Sequence, residues 1–318
     1  MLRSHEAETP HPDQLGGTTG QRGESTENRL HQALSRYGTA KAHTRKLMQA
    51  LGKERTAQLG LRWDRITECG DWMRFRHYFR RDLLKLASSN FCKKHLVCGV
   101  CAIRRGARSL AVYLERVETI PGFGVDVVPL LVTTTVRNGP DLSERLAHLL
   151  KHFRHLLKRR HLARGSVMDG VLGGVYSTEV TNTGNGWHPH IHGIWLVRRD
   201  QVMLTPDLRA EWEALTGDSF ECDVQPICPR HDLGDDVSPY AAGFAEVFKY
   251  ATKPAELGAE LFAEAYPQLR GKRLLASFGC LRGVKVPKDL ADDLTALENE
   301  PYVEFFARWL GESYSVRC

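Results

Sequence analysis

No stretch of about 18 consecutive apolar residues occurs in this 318-residue chain, so nothing in it reads as a membrane-spanning helix. The opening stretch MLRSHEAETPHPDQ lacks the apolar core of a secretory signal, and a cytoplasmic protein with no membrane partner is expected. Residues 1–36 contain no aromatic residue and are rich in Gly, Thr, Glu and Gln, a composition that cannot bury enough apolar surface to offset ordering entropy. They are expected to form a disordered tail. No internal repeat is visible. With eight cysteines but no signal segment, a disulfide scaffold is not expected either.

Acidic residues are missing from two particular stretches. Between Asp71 and Glu115 the one acid is Asp82, set among Arg74, Arg76, Arg80, Arg81, Lys85, Lys93, Lys94, Arg104, Arg105 and Arg108. Between Glu144 and Asp169 there is none, while Lys151, Arg154, Lys158, Arg159, Arg160 and Arg164 recur. The net charge is only +6, but nucleic-acid surfaces need locally concentrated cations rather than a large sum. A single basic run reads equally well as a solvated helix face; two beside metal-ligand motifs favour DNA.

What is present is 42% hydrophobic residues, enough for a sizeable core in one large domain or two small ones. Residues 37–114 read as mostly helical, interrupted by a cysteine-rich segment at 91–101. Residues 125–136 are dense in β-branched side chains and read as a strand. Asp141, with Glu144 three residues on, caps a helix whose Leu146, Leu149, Leu150, Phe153, Leu156 and Leu157 mark one face. Residues 174–181 and 187–197 form a hairpin around a linker, 182–186, that supplies Asn and Gly for a tight turn. A helix at 207–216, a strand at 220–227 and a helix at 240–253 stopped by Pro254 follow. Residues 290–310 read as an acidic helix. The order implies an α+β fold, an antiparallel sheet with helices packed on one side of it.

Strand side chains alternate, so His188, His190 and His192 project to one face, three imidazoles within about 14 Å. Such a set suits a divalent ion, and Glu179 on the other arm of the hairpin can add a carboxylate. A His-x-His strand also opens the metal site of amidohydrolase barrels, but too few residues follow His192 for a barrel of about 250. Further on, Glu246 and Tyr250 stand i,i+4 and Tyr250 and Lys253 i,i+3, so a carboxylate, a phenol and an amine can share one helix face.

Taken together, Thr133-Thr-Thr135, Trp187-His-Pro-His-Ile-His-Gly193 and Glu246-x-x-x-Tyr250-x-x-Lys253 resemble the three motifs of HUH endonucleases. Because the tyrosine follows the histidines, the chain is similar to the single-tyrosine Rep initiators of rolling-circle plasmids rather than to conjugative relaxases. The resemblance covers about residues 69–283. It implies that His190 and His192 bind a divalent metal, Mg²⁺ or Mn²⁺, with Glu179 as third ligand and His188 in a lesser part. It implies Tyr250 as nucleophile, Glu246 as activator of water at termination and Lys253 as phosphate- or ion-orienting cation. The activity implied is site-specific nicking at a double-strand origin, presented as a single strand or hairpin, with host helicase and polymerase as partners. An HUH transposase and a non-catalytic zinc-containing DNA-binding regulator are the alternatives.

Cys92, Cys98 and Cys101, with Cys69 upstream, offer zinc four thiolates; His95 can stand in for Cys69, and buried free thiols are the bland alternative. Cys222, Cys228 and His231 read as structural. The expected organisation is a tail over 1–36, a helical cysteine-rich DNA-binding segment over 37–115, an HUH-like nuclease domain over 116–286 and an acidic helical segment over 287–318. Arg104, Arg105, Lys158, Arg159 and Arg160 are the expected DNA contacts.

Overall fold

The structure, a computed structural model, describes residues 25–162, 165–230, 238–250 and 257–317, except for the side chains of Leu162, Lys249 and Tyr250. In chain order its elements are α1 (Thr26–Gln58), α2 (Trp63–Thr67), β1 (Trp72–Tyr78), β2 (Leu83–Ser89), α3 (Gly99–Glu118), β3 (Val127–Thr135) and α4 (Leu142–Leu162). Then come β4 (Val171–Asn182), β5 (Trp187–Arg198), α5 (Thr205–Thr216), β6 (Cys222–Pro226), α6 (Ala241–Tyr250), α7 (Ala259–Leu269), β7 (Leu275–Gly279), β8 (Val303–Trp309) and β9 (Tyr314–Arg317). The strands form two antiparallel sheets, ordered β6-β3-β5-β4-β7 and β2-β1-β8-β9, and the fold is α+β as expected.

The five-stranded sheet follows the sequence pattern closely. The Asp141 carboxylate accepts the backbone N–H of Glu144 at 2.8 Å and starts α4 where expected. Gly184 and Gly186 take φ of 96° and 89° in the β4–β5 turn, a left-handed backbone that a side chain would strain. Inward alternation along β5 sends Ile191, Trp195 and Val197 against Leu149, Phe153 and Leu156 of α4 and Trp212 of α5. The opposite alternation sends Ile194 and Leu196 against Phe244, Val247 and Phe248 of α6 and Leu110 and Tyr113 of α3. Helices therefore cover both faces of this sheet, not one as expected. The cause is α3, whose apolar stripe needs a partner and finds it in α6 and the second face.

The smaller sheet was not foreseen. Residues 26–36, expected as tail, are the start of α1: Leu30, Ala33, Leu34 and Tyr37 recur at helical spacing and are buried. Within 37–115 a hairpin replaces helix at β1–β2, because Met73, Phe75, Leu84 and Leu86 alternate inward onto α1. The acidic helix expected over 290–310 is a short 3-10 turn at Thr295–Leu297 followed by β8 and β9. Pro301 bars helix across this segment, and Ala307 and Trp309 alternate inward while β8 pairs along β1.

Two buried cations tie this unit together. Lys41, 1% exposed, donates to the carbonyls of Thr67 and Cys69 at 3.0 and 2.8 Å and pairs with Asp71 at 2.7 Å. Arg104, 2% exposed, pairs with Asp292 at 2.5 Å and donates to the Leu290 carbonyl at 2.6 Å. Its expected role as a DNA contact is therefore corrected: the guanidinium faces Asp292 and Tyr37 inside the protein, and although burial lowers its pKa, Tyr37 and Asp292 together hold it above the usual arginine value. Arg104→Ala leaves Asp292 and the Leu290 carbonyl without their partner and should lower unfolding free energy by about 3 kcal/mol in urea titration.

Candidate active site

His188, His190 and His192 leave β5 on the side that α6 covers, the side also taken by Ile194 and Leu196. Glu179 on β4 stands directly across from His190 in the antiparallel register, and Ser177 across from His192. On the other flank β3 sets Thr133 opposite His192. Three ligand atoms converge: Nε2 of His190 lies 2.8 Å and Nε2 of His192 3.2 Å from the same oxygen, Oε2 of Glu179. One ligand atom from each of the three residues falls within 4.8 Å of the others.

The protonation pattern says what this arrangement needs. His190 Nδ1 lies 3.2 Å from the carbonyl oxygen of His188, which can only accept, so Nδ1 carries a proton. In a neutral ring Nε2 then offers a lone pair, and it faces a carboxylate oxygen. Two acceptors at 2.8 Å require a cation between or beside them, either a second ring proton or a metal. Adjacent ligands around an octahedral ion with bonds of about 2.1 Å stand about 3 Å apart, matching these separations. Glu179 is 3% exposed, and a carboxylate that deep demands a positive partner. Two imidazoles and one carboxylate on one sheet face fit a divalent ion.

Thr133 supplies a contact the sequence reading missed. Its Oγ1 lies 3.1 Å from His192 Nδ1 and orients that ring; with Nε2 given to an ion, Nδ1 carries the proton and the hydroxyl accepts it. The triple threonine was visible, but only cross-strand register shows which threonine meets which histidine. Thr133→Val should weaken divalent-metal affinity about 10-fold to 100-fold, read by calorimetry, with little change in melting temperature.

His188 stands apart. Its ring centre is 5.4 Å from that of His190, and it contributes no atom to the converging set. Burial, then the neighbouring His190, lower its pKa below the usual histidine value. α6 carries the half-buried Glu246, with Tyr250 one turn on at its last position, and packs by Phe244, Val247 and Phe248 on the histidine face. Lys253 and His231 lie outside the described residues.

The second candidate centre is the cysteine set. Cys69, Cys92, Cys98 and Cys101 are buried, unbridged, and bring four Sγ atoms within 4.8 Å of one another. Sulfurs of Cys69 and Cys101 are 3.5 Å apart and those of Cys92 and Cys101 3.6 Å. Four ligands at about 2.3 Å around a tetrahedral ion would be separated by about 3.8 Å, so the set fits zinc. Neighbouring sulfurs and burial push the Cys98 and Cys101 thiols up, because four thiolates this close repel unless a cation joins them. Cys69 occupies the fourth place, and His95 is not in the set. Cys222 is buried and Cys228 exposed, with no part in either group.

Among the remaining expected DNA contacts, Lys158 is exposed on α4 with Lys151 and Arg154. Arg159 is tied to Glu211 at 2.9 Å, Arg160 donates to the Leu172 carbonyl at 2.5 Å, and Arg105 donates to the Pro287 carbonyl at 3.2 Å.

A family model described as a replication protein matches residues 83–305, more than half the chain and all of β4, β5 and α6. The chain belongs to this replication-protein family. A "Protein rep" of Bacillus amyloliquefaciens is 28% identical over 175 residues, covering 53% of this chain and 49% of that protein. A "Protein rep" of a Bacillus species is 27% identical over 171 residues, covering 52% of each. The chain thus spans about half the length of these curated relatives. No solved structure matches it. Among the described residues no helix is long and apolar enough to cross a membrane.

Proposed function

We propose that this protein initiates rolling-circle replication of a plasmid by nicking one strand of its origin through Tyr250. The observation that carries the reading is the convergence of His190, His192 and Glu179 on the sheet face covered by the helix that bears Glu246 and Tyr250. Membership of a replication-protein family supports the same conclusion.

When bound, a divalent ion such as Mg²⁺ or Mn²⁺ would polarise the scissile phosphate and offset the charge that builds on it. His190, His192 and Glu179 hold that position, with Thr133 and the His188 carbonyl fixing the two rings. Tyr250 gives its phenolic proton to solvent and attacks phosphorus through its oxygen; the bond to the 3′ oxygen breaks, and that oxygen takes up a proton from solvent. The products are a 5′-phosphotyrosine link and a free 3′-OH that a host polymerase extends behind a host helicase. Lys253 orients the phosphate. Glu246 then activates the nucleophile of the closing step, water or a new 3′-OH, by accepting its proton. Lys151, Arg154 and Lys158 along the outer face of α4 hold the phosphate backbone. The cysteine set would hold a structural Zn²⁺, and its four residues lie at the start of α3 and in the loops after α2 and β2. Such a protein works in the cytoplasm.

The test is purified protein with Mg²⁺ or Mn²⁺ and supercoiled DNA carrying its origin. Open circles with protein bound to a 5′ end support the reading, and specific DNA binding without any nick would leave the non-catalytic regulator standing. Glu246→Ala should nick normally yet accumulate the covalent adduct about 10-fold or more on denaturing gels. Ordinary turnover by that variant would remove Glu246 from the mechanism.

A further inference from the structure

The outer face of the smaller sheet is unlike an ordinary solvated surface. Strands β1, β2, β8 and β9 contain one acidic residue, Glu304, against Arg74, Arg76, Lys85, Arg308 and Arg317. Register puts all of these on one side. Trp72 lies opposite Arg308, Arg74 opposite Phe306, Arg76 opposite Glu304 and Lys85, and Phe306 opposite Arg317. The other side, with Met73, Phe75, Leu84, Leu86 and Ala307, is packed on α1, so the cationic side faces solvent.

Aromatic rings are interleaved with these cations. Trp72 and Phe306 lie nearly parallel, 16° apart in plane with centroids 6.3 Å apart, and Phe306 is 39% exposed. Arg76 sits over the Tyr302 ring, 4.3 Å from its centre, and Tyr302 is exposed as well. Glu304 pairs with Arg76 at 3.2 Å and reaches Arg74 at 3.8 Å, which holds those guanidinium groups near the sheet surface rather than cancelling the face. Exposed aromatic rings on a sheet are costly to leave in water, and flat rings between guanidinium groups match the alternation of base and phosphate in an unpaired strand.

We propose that this face is a binding platform for single-stranded DNA, distinct from the Tyr250 site, on which Trp72 and Phe306 stack bases while Arg74, Arg308 and Arg317 hold phosphates. The inference rests on the reading that the protein works on unpaired DNA and assigns a surface that would hold the strand outside the cleavage site. A duplex would not serve, because its bases are stacked on each other and present no free ring face to Trp72 or Phe306.

The metal-loaded full chain is titrated into a fluorescent oligo-dT of about 12 nucleotides, a length within the range of single-strand sites, and into a duplex, with anisotropy as readout. Phe306→Ala combined with Arg308→Ala should weaken oligo-dT binding about 10-fold or more, leave duplex binding within about twofold and leave the thermal midpoint in place. Arg308→Glu, which keeps every apolar contact of the sheet, should weaken oligo-dT binding and flatten its salt dependence. Unchanged oligo-dT affinity in both variants would overturn the proposal. So would an equal loss on duplex and single strand, or a parental dimer that the variants split, since the face would then be a general cationic surface or a self-contact. Tyr250→Phe separates this proposal from nicking. If it and the parent both fail to nick but bind oligo-dT through Phe306, the platform stands and the nickase reading falls.

Discussion

Tyr250→Phe is expected to lose covalent attachment to DNA entirely and to nick slower by about four orders of magnitude or more, the scale on which removing a nucleophile acts. The substitution deletes one oxygen from the end of α6 and leaves Phe244, Val247 and Phe248, which seat that helix, untouched. Origin binding and the melting curve should therefore stay at parental values. That combination distinguishes a missing nucleophile from a damaged fold. Nicking by the Phe variant at the parental rate would move the nucleophile elsewhere in the chain. Chelation should silence the parent just as fully, with Mg²⁺ or Mn²⁺ restoring it, because under the proposed mechanism the ion held by His190, His192 and Glu179 offsets the charge that builds on the phosphate.

The second large effect is expected at the cysteine set. Cys101→Ser removes a buried sulfur that lies within 3.6 Å of two others, at the first turn of α3. A structural zinc contributes folding free energy directly, of order 10 kcal/mol in isolated domains. Loss of one thiolate should abolish stoichiometric zinc and lower the melting midpoint by about 10 °C or more. The α1, β1–β2 and β8–β9 unit should protect its amides least, since this cluster lies in its core. Parental protein containing zinc in a one-to-one ratio, and variant protein containing none, is the expected metal analysis. An unchanged midpoint in the serine variant would show four idle thiols instead.

These two sites differ in how far the sequence disclosed them. Period-two alternation put three histidines on one face, and the Asn-Gly turn set the register that brings Glu179 to His190, so the facing of a carboxylate to the histidine row was legible from local rules alone. Which two histidines converge on Glu179 came from the family resemblance and not from local rules, because His188 differs from His190 only in how the rings point at the end of the hairpin. Cys69 was legible as a candidate but needed the chain to close a loop of more than twenty residues onto Cys92. The smaller sheet was hidden for a related reason. β8 pairs with a strand more than two hundred residues earlier, and Val303–Trp309 has no neighbour in sequence to reveal its partner. Its many acids upstream suggested a helix, whereas one of them, Asp292, is there to neutralise Arg104. The same long-range pairing turned Arg104 from an expected DNA contact into a core cation. Local propensity does not report which basic residue of a run will be buried.

The central claim is that the metal triad serves a tyrosine on the facing helix. The most direct measurement is to react the protein with Mn²⁺ and an origin oligonucleotide, digest the adduct with protease and nuclease, and locate the nucleotide by mass spectrometry. The account predicts a 5′-phosphate linked to the phenolic oxygen of Tyr250, formed by the parent and by Glu246→Ala and absent from His192→Ala. Cleaved DNA with free 5′-phosphates and no adduct, or an adduct on any other residue, would contradict it.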